Sequence, residues 1–227
     1  MGRIIGMIHT LCPNVRVFNE LISKTIPDVE VVHIVDEGLS PLSGKQHHER
    51  IVRRLGILST LAKESGAEII MLTCTAFGRL ADEVKEIVGI PVFAVLEIIA
   101  DETADLTDSI GILGTHPGTL TSASEIIREE AALRGKQVTV KTLLCEGAFD
   151  AIKREDWNTH DSIVLKHLAR LMEEVEVIVI PQPSMERVLN QATELVQKKP
   201  VLTSASLAVQ SLKDKLDISL LPWLSSN

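Results

Sequence analysis

Three segments recur in the same order in the two halves of this 227-residue chain. Ile5-Gly6-Met7-Ile8-His9-Thr10 is echoed by Ile110-Gly111-Ile112-Leu113-Gly114-Thr115, an offset of 105 (110 − 5). Ile70-Met71-Leu72-Thr73-Cys74-Thr75 is echoed by Ile178-Val179-Ile180-Pro181-Gln182-Pro183, an offset of 108 (182 − 74). Ile90-Pro91-Val92 is echoed by Lys199-Pro200-Val201, an offset of 109 (200 − 91). Landmarks kept in order at a near-constant offset require two halves with the same architecture. A site between such halves can offer one group to each face of a substrate. One half offers the thiol of Cys74, and the matching position in the other is Gln182.

Within each half, short apolar runs alternate with helical periodicity. Arg3–Ile8, Val29–Val35, Glu68–Thr73 and Pro91–Ala94 read as strands, with helices over His47–Ser65, Arg79–Val88 and Glu97–Ala104. The cycle restarts with strands at Ser109–Leu113, Val138–Leu143, Val175–Ile180 and Val201–Thr203. Helices fall at Leu120–Leu133, Asp161–Glu174, Arg187–Gln197 and Leu207–Leu212. Gly66, Gly89 and Gly135 stand where helices should stop. Strands alternating with helices predict an α/β fold of two pseudo-symmetric lobes, each a roughly four-stranded parallel sheet covered on both faces. The expected division is residues 1–97 for the first lobe, with 207–227 packing back on it, and 98–206 for the second. In such sheets ligands bind beyond the carboxyl ends of the strands. That directs attention to His9–Asn14, Thr73–Gly78, Gly114–Thr121, Cys145–Phe149 and Pro181–Met185.

Charge and composition remove several function classes. A net charge of −8 disfavours a nucleic-acid partner, and aromatics at 3% leave no stacking platform for bases. No apolar run reaches membrane-spanning length, and the first residues lack the pattern of a signal peptide. Cys12, Cys74 and Cys145 are odd in number and lack metal-site spacing, which points to a reducing, cytoplasmic setting. His47 and His48 are adjacent and so point to different faces of a helix, so His47-His48-Glu49-Arg50 is read as a solvated helix rather than a metal motif.

Cys74 follows an apolar strand and precedes a helix, where the dipole and free N–H groups would favour thiolate. Such a group can move a proton at carbon; the alternative is a buried, inert cysteine. The Gly114–Thr119 loop can hold an anion through backbone N–H groups and threonine hydroxyls, or simply start a helix capped by Thr119 or Thr121. Thr10 matches Thr115 and could bind the same anion from the other side. Asn14 is a candidate amide donor, and Gln182 and Ser184 occupy the position of a second catalytic group. Glutamine is no base near neutral pH but donates and accepts hydrogen bonds. His116 is read as an exposed loop residue. Cys145 and Glu146 end another strand without further signal.

In these residues the chain resembles the aspartate/glutamate racemase superfamily, which includes hydantoin racemases, maleate isomerases and arylmalonate decarboxylases. The resemblance rests on Ile5-Gly6, Leu72-Thr73-Cys74-Thr75-Ala76, Ile90-Pro91-Val92, Ile110–Thr115 and Pro181-Gln182-Pro183-Ser184-Met185. It implies a cleft between two α/β lobes, no metal or pyridoxal cofactor, a homo-oligomer (commonly a dimer), and a small carboxylate or related carbonyl compound as substrate. Racemases of this type place one cysteine on each lobe. Here Cys74 takes the first position, the second falls on Gln182, and Thr75 stands where the family often has Asn. The arylmalonate decarboxylases keep a single cysteine in the other lobe. The resemblance therefore implies a cofactor-independent, isomerase-like enzyme with Cys74 moving the proton. Thr10, Asn14, Thr75, Ala76, Thr115 and Ser184 would hold the substrate. A single-cysteine decarboxylase and a catalytically inactive carboxylate-binding protein are the alternatives.

Overall fold

The structure, a computed structural model, describes residues 3–42 and 45–218. The first sheet comprises β1 (Ile4–His9), β2 (Glu30–Val35), β3 (Ile69–Leu72) and β4 (Val92–Ala94), in the order β2-β1-β3-β4 with every pair parallel. The second comprises β5 (Ser109–Gly114), β6 (Thr139–Leu144), β7 (Val177–Ile180) and β8 (Val201–Thr203), in the matching order β6-β5-β7-β8. The central strands β1 and β5 are buried almost throughout, whereas β2 and β6 lie at the edges with no residue fully buried. That burial is why the central strands read as continuous apolar runs.

Helices cover both faces of each sheet: α1 (Pro13–Thr25), α2 (His48–Glu64), α3 (Ala81–Val88), α4 (Val95–Ala104), α5 (Pro117–Leu133), α6 (Ala148–Lys153), α7 (Trp157–Met172), α8 (Thr193–Val196) and α9 (Ser204–Ile218). The pleat sorts the side chains of the first sheet. Ile8, Ile70 and Leu72 meet Leu55, Val84 and Val88 of α2 and α3 on one face. Ile5, Met7 and Met71 meet Phe18 and Ile22 of α1 and Ala208, Val209 and Leu212 of α9 on the other. In the second sheet Ile178 and Ile180 pack on Val164 and Leu168 of α7, and Ile110, Ile112 and Val179 pack on Leu120 and Ile127 of α5. The α4 helix bridges the two cores, with Val95 in the α1–α9 layer and Leu96 and Ile99 in the α5 layer. The last part of the segment expected to pack back, residues 219–227, lies outside the described residues.

Four local differences from the sequence reading have identifiable causes. The α1 helix was not expected. Its start has Pro13 in the first turn and no side-chain cap, and its buried stripe of Asn14, Phe18 and Ile22 is interrupted by a polar residue. The short α6 was read as loop. The α7 helix begins at Trp157 rather than at Asp161, because Asp156 caps it with its side chain accepting from the Thr159 N–H at 3.1 Å. The expected helix Arg187–Gln197 is instead a 3-10 segment, Pro183–Gln191, followed by the four-residue α8. A matching 3-10 segment, Thr75–Leu80, precedes α3.

Candidate active site

The carboxyl ends of β1 and β3 face that of β7 across a cleft of about 60 Å³, lined from one side by Thr10, Leu11, Asn14, Ser40 and Thr73–Phe77. The other wall is His116, Thr119, Phe149 and Gln182–Ser184. At about 10–15 Å³ for each water position, this is space for a small molecule only. No Asp, Glu, Lys or Arg is among the described residues that line it. Cys74 and Gln182 are each the last residue before a 3-10 segment, so both walls present the same backbone turn.

Each of these residues is held by the threonine that ends the neighbouring central strand. The Thr10 hydroxyl is bonded to the Cys74 thiol. The Gln182 carbonyl oxygen accepts from the Thr115 N–H at 2.6 Å, and its amide nitrogen donates to the Thr115 hydroxyl at 2.9 Å. Thr115 therefore lies behind the Gln182 amide instead of on the cleft wall. Thr75 Oγ1 donates to the Pro181 carbonyl of the opposite lobe at 2.9 Å, and Ser204 Oγ donates to the same oxygen at 2.7 Å. The Thr75 hydroxyl proton is thus engaged in tying the two walls together. Arg79 adds a solvent-exposed ion pair from the 3-10 segment to Glu129 of α5 at 2.8 Å, which contributes little.

The expected thiolate-favouring environment of Cys74 is corrected by its packing. Although Cys74 keeps some exposure to the cleft, burial raises the thiol above its ordinary value. The Thr10 hydroxyl and the Ala76 and Phe77 N–H groups pull it part-way back. The segment that follows is one six-residue 3-10 stretch, too short for a strong dipole. Cys145 is fully buried behind β6, its thiol pushed up to about 12 by desolvation, and it does not line the cleft.

The reading of His116 as an exposed loop histidine is also corrected. It is half-buried on the cleft wall and caps α5, with Nδ1 accepting from the Gly118 N–H at 3.1 Å. That bond leaves Nδ1 without a proton, so the neutral ring carries its N–H at Nε2. Neither Thr119 nor Thr121 is the cap. Its neighbour Phe149 meets the ring edge-on at 5.4 Å. Ser40, His116, Thr119 and Phe149 were not selected from the sequence. His116 and Thr119 stand in a flagged strand-end loop, whereas Ser40 comes from a connection with no local signal. Asn14 is buried on the wall with its Oδ1 atom lacking any partner. Elsewhere, His48 Nε2 bonds Glu83 at 2.9 Å on the surface, and no group of metal-ligating side chains occurs among the described residues.

A pair of like four-stranded parallel sheets closing on a cysteine-bearing cleft defines a two-lobed racemase fold. A family profile described as Asp/Glu/Hydantoin racemase matches residues 15–212, so the chain belongs to that family. No curated protein matches its sequence significantly. Among solved structures, it is similar to a glutamate racemase from Francisella tularensis subsp. tularensis SCHU S4 in complex with D-glutamate. The two are 15% identical with a TM-score of 0.74, over 97% of this chain and 83% of that one. An allantoin racemase from Klebsiella pneumoniae is 14% identical with a TM-score of 0.71, over 96% and 89%. An aspartate racemase from Picrophilus torridus is 16% identical with a TM-score of 0.70, over 90% of each chain. At these identities the likeness is one of fold.

Proposed function

We propose that the protein is an isomerase-like enzyme that moves a proton at a carbon next to a carboxylate or carbonyl of a small molecule. Cys74 is its single acid–base group, and no cofactor takes part. The observation that carries this reading is the placement of Cys74 on the wall of an uncharged cleft within a racemase-family chain. The Ala76 and Phe77 N–H groups and the Thr10 hydroxyl favour the thiolate against the burial that disfavours it. The Nε2–H of His116 and the hydroxyl of Ser184 supply donors for the enolate oxygen, the preorganised stabilisation that usually dominates such chemistry. The unpartnered Oδ1 of Asn14 accepts an N–H or O–H from the substrate. With no acidic side chain in the lining, a free ammonium group has no counter-charge, which favours carboxylates and carbonyl compounds without one.

The test is solvent deuterium exchange across amino acids, hydantoins, malonates and maleate. The expected result is exchange or turnover with at least one member lacking a free amine, lost in Cys74→Ala. Failure with every member would remove the reading.

A second reading, a carboxylate-binding protein without catalysis, is favoured by one feature. Both polar ends of the Gln182 amide are engaged with Thr115. It predicts ligand binding unchanged in Cys74→Ser and no turnover.

A further inference from the structure

Behind the Cys74 wall, and only there among the described strand ends, runs a line of polar side chains through the first sheet. Asn19 Oδ1 on α1 lies 2.9 Å from His33 Nε2 on β2. His33 Nδ1 lies 2.8 Å from His9 Nε2 on β1, and the two rings stack with centroids 5.1 Å apart. His9 Nδ1 lies 2.8 Å from Thr73 Oγ1. Thr73 donates its hydroxyl proton to the Ile8 carbonyl at 3.0 Å, and it is the residue before Cys74. In the other lobe the positions matching His9 and Thr73 are Gly114 and Pro181, so no such line exists there.

The bond directions follow from donor counting. Because Thr73 donates to Ile8, it can only accept from His9, which fixes the His9 proton on Nδ1. His9 Nε2 is then bare and accepts from the Nδ1–H of His33. His33 Nε2 donates to Asn19 Oδ1 when His33 is charged; when His33 is neutral, Nε2 is bare and the Asn19 amide must turn its nitrogen inward to donate to it. One additional proton is therefore accommodated at the outer end of the line. A proton on His9 instead sets two N–H groups against each other and breaks the chain. Burial and the adjacent His33 hold His9 down to about 3, and burial also lowers His33. Of the charged side chains on the surrounding elements, Arg16 is engaged with Glu20 on α1, Asp36 with Arg54 beyond β2, and Glu37 with the Cys12 N–H, while Lys24 and Glu30 stand in the last turn of α1 and at the first position of β2. Phe18 covers the remaining face of His9 at 5.8 Å.

We propose that His9 and His33 are positioning residues for Cys74. They are a two-histidine chain that fixes Thr73, and with it the turn aiming the Ala76 and Phe77 N–H groups at the sulfur, and they make that aim dependent on the protonation of His33. This rests on Cys74 being the reactive group, but its test needs no substrate.

In a Cys12→Ser background, iodoacetamide labelling of Cys74 is followed by peptide mass spectrometry from pH 5 to 11, a range that reaches past the ordinary thiol value, with circular dichroism checking the fold at each pH. The parent should show a second inflexion below neutral pH in addition to the thiol ionisation. Thr73→Val should slow labelling by about two- to tenfold, the effect of one lost hydrogen bond, and Thr73→Ser should restore it. His33→Phe keeps the ring stack but lacks the donor, so it should slow labelling likewise. His33→Asn places an amide N–H where Nδ1–H was, so it should restore the rate while removing the lower inflexion. Labelling that follows a single ionisation in the parent and is unchanged in Thr73→Val and His33→Phe would overturn the proposal. A normal labelling response without turnover on any substrate would instead count against the proposed enzymatic function alone.

Discussion

The strand ends of the two lobes share a backbone and differ in what they carry. At β3 the sequence Thr73-Cys74-Thr75 places a thiol in the cleft, hydrogen-bonded by Thr10, and the preceding Thr73 is bonded by His9. At β7 the sequence Pro181-Gln182-Pro183 places an amide there, closed onto Thr115. Gly114 stands where His9 does, and an added Cβ there would lie 3.2 Å from Gln182 Oε1 and 2.9 Å from Leu120 Cδ2. One end is built around a titratable group and the other around a packed, neutral one. The fold is duplicated, but the chemistry is not.

The largest way to break this asymmetry is at the reactive group. Cys74→Ala is expected to reduce exchange by about 10²–10⁴-fold, the usual contribution of a positioned acid–base group. The reverse change, Gln182→Cys, makes the walls alike, and the expected outcome is label appearing on both faces of the substrate carbon. Chiral analysis of the exchanged product reads this directly.

Next come the two glycines that the lobes share. A Cβ at Gly6 would lie 2.8 Å from Ala62 Cβ of α2, and one at Gly111 would lie 2.9 Å from Leu171 Cγ of α7. Gly6→Ala and Gly111→Ala should each cost about 1–3 kcal/mol in urea unfolding, from overpacking against α2 and α7. A tenfold difference in equilibrium constant between them would show that the lobes are unequally packed. Thr115→Val, which leaves the buried Gln182 amide with fewer partners, should cost about 1–3 kcal/mol. Its effect on exchange should be smaller than that of Thr10→Val, which removes the hydroxyl bonded to the reacting sulfur.

Two further groups are separated by pH. His9 is lowered in the fold, so its contribution is present at neutral pH and is lost as pH falls from about 6.5 toward about 3. Glu97 is raised to about 7, by burial first and by Asp82 second, so its contribution is present in acid and is lost as pH rises through that value. Glu97→Gln should therefore stabilise the protein at pH 8, by on the order of 1 kcal/mol after discounting for its partial exposure. Thermal midpoints at pH 5, 7 and 8 separate the two groups.

Much of the fold was legible because its signals are local. The central strands announce themselves as apolar runs, and Gly66, Gly89 and Gly135 take positive φ where helices stop. The duplicated landmarks predicted two like halves, and the two sheets have matching strand orders. Cys74, Gln182, Thr10, Asn14, Thr75 and Ser184 could be selected because strand ends in a parallel sheet converge, Ala76 came only with the family resemblance, and all of them line the cleft. Thr115 was selected by the same rule, yet it lies beneath Gln182. Which of two adjacent polar groups reaches a cavity depends on the side chain packed over it.

By itself, then, the sequence determined two like α/β lobes and an unequal pair of residues facing each other, because periodicity and repetition are properties of neighbours along the chain. Only the tertiary structure decided that the Cys74 thiol is raised rather than lowered and that His116 lines the cleft with its Nδ1 engaged by Gly118. It also decided that His9 and His33 join Thr73 behind the cysteine. Each of these depends on desolvation or on a hydrogen bond between atoms far apart in sequence, and no spacing along the chain encodes either one.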